Sequence, residues 1–106
     1  MIVNLDKNSF KTAIQSEKPV LVDFWASWCA PCMMQGEILH QLDEKYPDLQ
    51  IGKVNVDENR ELAMQFRVDS IPTMILFKNG EPLELLIGLR PTDALLELFK
   101  KHGESV

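Results

Sequence analysis

Apolar positions along this chain fall into short continuous runs and into stripes three or four residues apart, and the two patterns take turns. Ile2 to Leu5 is a short candidate strand. Phe10, Ala13 and Ile14 recur at helical spacing within Ser9 to Gln15, and Glu17-Lys18-Pro19 ends that helix. Val20 to Ala26 is almost wholly apolar, as in a strand buried on both faces. Cys32 to Tyr46 reads as a longer helix, with Met34, Ile38, Leu42 and Tyr46 as its inward stripe and Pro47 beyond its end. On that phase Met34 belongs to the core.

Ile51 to Val56 alternates in part and reads as another strand. Asp57 or Asn59 can cap a short helix that turns Leu62, Ala63 and Phe66 inward. Thr73 to Phe77 and Leu83 to Ile87 are strands joined by Asn79-Gly80, a strong hairpin signal, and Gly88 breaks the second. Pro91 and Asp93 suit the start of a last helix, with Leu95, Leu98 and Phe99 inward and Lys100 and Lys101 at its end. The order is βαβαβα, a β-hairpin, then α. It predicts parallel strands joined by right-handed crossovers, antiparallel strands at one edge, and helices on both faces.

Composition narrows the class. The 106 residues fit one domain, 1–106, and are 45% hydrophobic and 25% charged, enough for a core without staples. The net charge of −5 comes without a basic run, so no nucleic-acid footprint is present. The longest apolar run is far short of a membrane span. Met1-Ile2-Val3-Asn4-Leu5-Asp6 lacks the features of a secretory leader. The expectation is a cytoplasmic protein, monomeric by default, with no membrane or nucleic-acid partner.

The chemistry centres on the only two cysteines, Cys29 and Cys32, in Trp28-Cys29-Ala30-Pro31-Cys32. They sit between the buried strand and the long helix. Cys29 falls at or just before the first helical turn, where unpaired N–H groups and the helix dipole stabilise a thiolate. Pro31 suits that first turn, and Cys32 lies one turn inward. Cys29 is therefore the candidate nucleophile and Cys32 the resolving thiol. Structural zinc would need four ligands, and the only histidines, His40 and His102, are unpaired and far apart. Haem attachment would need a histidine after Cys32, where Met33 stands. Two inert core cysteines remain open as an alternative, against which the flanking Trp28 and Pro31 weigh.

Asp23 interrupts the most buried strand. A carboxylate there is costly, so its pKa should rise, and it is the candidate general base for the Cys32 thiol. Lys53, on the neighbouring strand, is the candidate charge that tunes it. Ile71-Pro72-Thr73 opens a strand. Only about one X–Pro bond in twenty is cis in folded proteins, so the sequence by itself predicts trans.

Val22-Asp23-Phe24-Trp25-Ala26, Trp28-Cys29-Ala30-Pro31-Cys32, Lys53-Val54-Asn55-Val56-Asp57, Ile71-Pro72-Thr73, Phe77-Lys78-Asn79-Gly80 and Gly88 occur here in one order and spacing. Together they resemble the thioredoxin family through nearly all of the chain. The resemblance implies an α/β fold with a five-stranded mixed central sheet, order 1-3-2-4-5, flanked by four helices. It implies a cis Ile71-Pro72 bond against the disulfide and an Ile71 backbone free to pair with an extended substrate. Trp28, Ala30, Pro31, Ile71, Pro72 and Gly88 are the substrate-binding candidates. Asp23 and Lys53 take the roles given above. The implied activity is protein-disulfide reduction with no bound cofactor, electrons coming from NADPH through a flavin-dependent thioredoxin reductase.

Three residues depart from the family's commonest pattern. Ala30 stands in place of glycine, Met33 in place of lysine, and Glu37 in place of a kinking proline, with Gly36 beside it. The first two bear on redox poise and partners, since Met33 removes a cation from beside Cys29. A different class of function also fits this fold, a binding subunit or holdase in which the thiols are dispensable. The complete set Asp23, Cys29, Cys32 and Pro72 weighs against it.

Overall fold

In the computed structural model, which describes residues Met1–Val106, nine elements follow the predicted order. They are β1 (Ile2–Asn4), α1 (Lys7–Ala13), β2 (Val20–Trp25), α2 (Ala30–Lys45), β3 (Gln50–Asn55), α3 (Arg60–Gln65), β4 (Thr73–Lys78), β5 (Glu81–Ile87) and α4 (Thr92–Lys101). The sheet order is β1-β3-β2-β4-β5. β3 pairs in parallel with β1 and β2, while β2–β4 and β4–β5 are antiparallel. This is the thioredoxin fold that the resemblance implied.

Strand alternation divides the core into two layers. Val20, Val22, Phe24, Ile75 and Phe77 point to one face, where Phe10 and Ile14 join them. Phe10, Phe66 and Phe77 pack edge-on or tilted at 5.3–5.4 Å between centroids, a favoured aromatic geometry. Leu21, Met74 and Leu76 point to the other face, against Leu39, Leu42, Leu95 and Phe99. β2 is thus covered on both sides, as its almost wholly apolar run required.

Local chemistry sets the element ends. Asp6 caps α1 by accepting from the Asn8 and Ser9 N–H groups, and Ser9 Oγ accepts from the Asp6 N–H. These bonds to the carboxylate, Ser9 first, hold its pKa below the usual value. Asn79 and Gly80 both adopt positive φ, as a two-residue hairpin demands. Glu84 on β5 receives His102 Nε2 at 2.7 Å and Lys101 Nζ at 2.9 Å, which ties the end of α4 to the sheet.

Two expectations need correction. Met34 is exposed, and the buried residues of α2 are Cys32, Gln35, Leu39 and Leu42. Steps of four drift around a helix of 3.6 residues per turn, so the inward face lies one residue away from Met34 and Ile38. Asn59 occupies the N-cap of α3, but its side chain does not cap the helix. Its Nδ2 donates to the Asn55 carbonyl instead. No helix is long and apolar enough to cross a membrane.

Candidate active site

The end of β2 delivers the chain into α2 through Ala26 to Cys29. Cys29 is the N-cap residue, with extended backbone, and its Sγ accepts from the Cys32 N–H at 3.2 Å. The sulfur thus does what a serine or aspartate oxygen does at other helix starts. Ala30 and Pro31 form the first turn, where proline removes a donor that would lack a partner. Cys29 and Cys32 are joined as a disulfide, with Cα atoms 5.2 Å apart. Cys29 is 5% exposed and Cys32 fully buried, so Cys29 is the sulfur nearer solvent.

The Ile71-Pro72 bond is cis, against the base rate and with the resemblance. Cys29 Sγ lies 3.8 Å from the Ile71 carbonyl oxygen, and Ile71 packs on the small cluster of Ala26, Cys29 and Cys32. The Ile71 N–H donates to no group of the chain. The Pro72 carbonyl accepts from the Gly88 N–H at 2.8 Å, which brings the end of β5 beside the start of β4. Gly88 has φ +92°, a left-handed conformation that favours glycine. Trp28 is 70% exposed and tied by its Nε1–H to Asp57 Oδ2 at 2.9 Å, rather than to Ile71 or Gly88. Met33 is half-exposed at the rim.

Asp23 lies in the middle of β2 and is fully buried. Neither carboxylate oxygen has a hydrogen-bond partner. Burial pushes its pKa from 3.8 up to about 7, with the Lys53 charge pulling the other way. Lys53 is its register partner on β3 but forms no ion pair with it. The ammonium sits over the Trp25 ring, 4.5 Å from its centroid. Lys53 also lines an open cleft with Trp25, Cys32, Met33 and Gly36. A Cβ at Gly36 would lie 3.4 Å from the Lys53 Nζ, so the small residue leaves room for that ammonium. No cluster of groups suited to holding a metal ion is present.

Sequence reading missed Gln35. It is fully buried, and its side-chain amide pairs with the backbone of Arg90. A polar residue one turn after Cys32 was the available signal, hidden by the misplaced helical phase.

Comparison with known proteins bears on this geometry. The Thioredoxin family model matches residues 1–101. A thioredoxin of Alicyclobacillus acidocaldarius is 49% identical over 94 residues, covering 88% of this chain and 90% of its own. A bifunctional thioredoxin reductase/thioredoxin of Mycobacterium leprae is 46% identical over 92 residues, which are 86% of this chain and 20% of that protein. The solved structure of a mutant thioredoxin from Halobacterium salinarum superposes with a TM-score of 0.89 at 34% identity, covering 99% of this chain and 93% of that one. With a bonded cysteine pair at a helix start, a cis Ile71-Pro72 bond whose isoleucine packs on that pair, and this whole-length match, the chain belongs to the thioredoxin family.

Proposed function

We propose that the chain passes electrons from a flavin-dependent thioredoxin reductase to disulfides in protein substrates, with Cys29 as attacking sulfur and Cys32 as resolving sulfur. Family membership and the cysteine pair make it a protein-disulfide reductase that cycles between dithiol and disulfide. The reading of the individual residues rests on one observation above others. The pair sits at a helix N-terminus, while the strand that feeds it carries a buried carboxylate with no hydrogen-bond partner.

In the reduced protein the Cys29 thiolate attacks one sulfur of a substrate disulfide. A Cys29–substrate disulfide forms, the substrate S–S bond breaks, and the departing thiolate takes a proton from water. Cys32 gives its proton to the Asp23 carboxylate and attacks Cys29 Sγ. The mixed disulfide breaks, the second substrate thiolate leaves, and the Cys29–Cys32 disulfide remains. Two electrons have then moved to the substrate. A pKa of about 7 lets Asp23 both take and release that proton near neutrality. Lys53 favours its ionised form.

Trp28, Ala30, Pro31, Ile71, Pro72 and Gly88 form the receiving groove in this reading. The unpaired Ile71 N–H supports it, since an extended substrate segment can accept from that donor as an added strand would. The fusion of a reductase and a thioredoxin in the Mycobacterium leprae relative supports a reductase as electron source, with NADPH as the ultimate donor. No cofactor is held by the chain itself. It works as a monomeric single domain, residues 1–106, in the cytoplasm.

Reduction of insulin with dithiothreitol as electron donor tests this. Wild-type protein accelerates insulin precipitation and Cys29→Ser abolishes the acceleration. Retained acceleration in Cys29→Ser would overturn the assignment. NADPH consumption with a purified thioredoxin reductase tests the electron source.

A further inference from the structure

Gln35 shares the buried face of α2 with Cys32, one turn beyond it. Its Oε1 accepts from the Arg90 N–H at 2.8 Å and its Nε2 donates to the Arg90 carbonyl at 3.1 Å. One side-chain amide thus satisfies both backbone groups of one residue, as a neighbouring strand would. Packing does not call for this. A buried primary amide is costly unless its bonds are made, whereas an aliphatic side chain fills the same space without condition.

The segment held in this way is the turn that follows β5. The Gly88 N–H donates to the Pro72 carbonyl at 2.8 Å. The Arg90 guanidinium folds back onto the Ile87 and Leu89 carbonyls at 2.9 and 3.3 Å. Gly88 is therefore anchored on one side to Pro72, which follows the Ile71 that packs on the cysteine pair. On the other it is anchored, through Arg90 and Gln35, to the helix that carries Cys32. Ile87 and Leu89, which flank it, are both exposed, so little burial of their own holds the turn in place.

We propose that Gln35 is a positioning residue for substrate: by clamping Arg90 it fixes the Gly88 wall relative to the Cys29–Cys32 pair and keeps the groove preformed for an extended protein segment. A preformed groove spares the substrate the ordering of that turn on binding. A small disulfide, which needs the sulfurs but not the walls, gains nothing from the clamp. The clamp can matter to substrate only if the groove proposed above receives it, so the test must separate the two ideas.

Gln35→Met removes both hydrogen bonds at nearly constant volume, and Gln35→Leu does so with a different shape. Each is assayed with insulin and with a small aromatic disulfide, at a temperature where circular dichroism shows it folded. The expected result is a KM for insulin raised about fivefold, the scale of one lost hydrogen bond, with kcat little changed. The rate with the small disulfide stays within about twofold of wild type. Amide hydrogen exchange speeds up at Gly88 and Arg90 but not at Leu39, which can be read on whichever variant folds. An unchanged KM for insulin, or equal slowing of both substrates, would overturn the proposal. So would unchanged exchange at Arg90. Trp28→Ala, on the other wall, is measured in parallel. If it raises the KM for insulin and the Gln35 variants do not, the clamp idea alone fails. If it too leaves KM unchanged, the groove reading itself has failed.

Discussion

Asp23→Asn isolates the electrostatic cost built into this site. Asp23 is fully buried, its oxygens lack hydrogen-bond partners, and its pKa stands at about 7 against 3.8 in the unfolded chain. The sign follows from linkage. Below about pH 4 the carboxyl is neutral in both states and no penalty exists. As pH rises the unfolded chain releases this proton first, so stability falls until the folded protein releases it too, near pH 7, and the term is then constant. At about 1.4 kcal/mol per tenfold, the rise from 3.8 to about 7 is worth roughly 4 kcal/mol. Asparagine cannot ionise, so the variant lacks this slope. Both side chains carry a similar pH-independent cost of about 1–3 kcal/mol as buried polar groups without partners, which largely cancels between the two proteins. Urea denaturation of both oxidised proteins between about pH 4 and pH 8 measures the difference. The stability of Asp23→Asn relative to wild type should rise by roughly 4 kcal/mol across that range and be positive at the upper end. A difference that does not change with pH would refute the buried-carboxyl reasoning. The same variant should release the mixed disulfide more slowly near neutral pH, because Cys32 has lost its proton acceptor.

Met33→Lys should lower the Cys29 pKa by placing a cation at the rim beside the helix start; thiolate ultraviolet absorbance during a pH titration of the reduced protein checks this. Gly88→Ala makes only an ordinary van der Waals contact, with Arg90 Nη1 at 3.8 Å, so its cost is the left-handed backbone alone. A loss of about 1–2 kcal/mol, read as a fall in Tm, is expected. Gly52→Ala is a steric case instead. Its Cβ would overlap the buried Leu5 side chain, and a loss of about 1–3 kcal/mol in denaturant unfolding is expected.

Most of the fold was legible because it rests on local signals that tertiary packing leaves intact. The almost wholly apolar run at β2 identified a central strand, and Asn79-Gly80 identified the hairpin with both residues at positive φ. Asp23 stood out because a carboxylate inside that run has no solvent to reach. The pairing order of five strands was not carried by any local pattern and came only from resemblance, as did the cis bond at Pro72. The phase of α2 went wrong for a physical reason. Its sequence has apolar residues at Met33 and Met34 outside the buried face, Ile38 only at its edge, and a polar residue, Gln35, inside it. Hydrophobicity alone therefore points to the wrong stripe, and the correct one shows only when the Arg90 backbone is seen to satisfy the glutamine. Of the three departures from the family pattern, Glu37 leaves α2 continuous from Ala30 to Lys45. Ala30 fits the first helical turn, where it costs nothing in propensity.

The order of sulfur attack is the centre of the account, and trapping the covalent intermediate tests it most directly. Reduced Cys32→Ser protein is mixed with a disulfide-containing protein and the products are read by mass spectrometry. The account predicts a stable adduct through Cys29, since nothing remains to resolve it, and no adduct from Cys29→Ser under the same conditions. An adduct formed through Cys32 in Cys29→Ser, with none through Cys29 in Cys32→Ser, would contradict it.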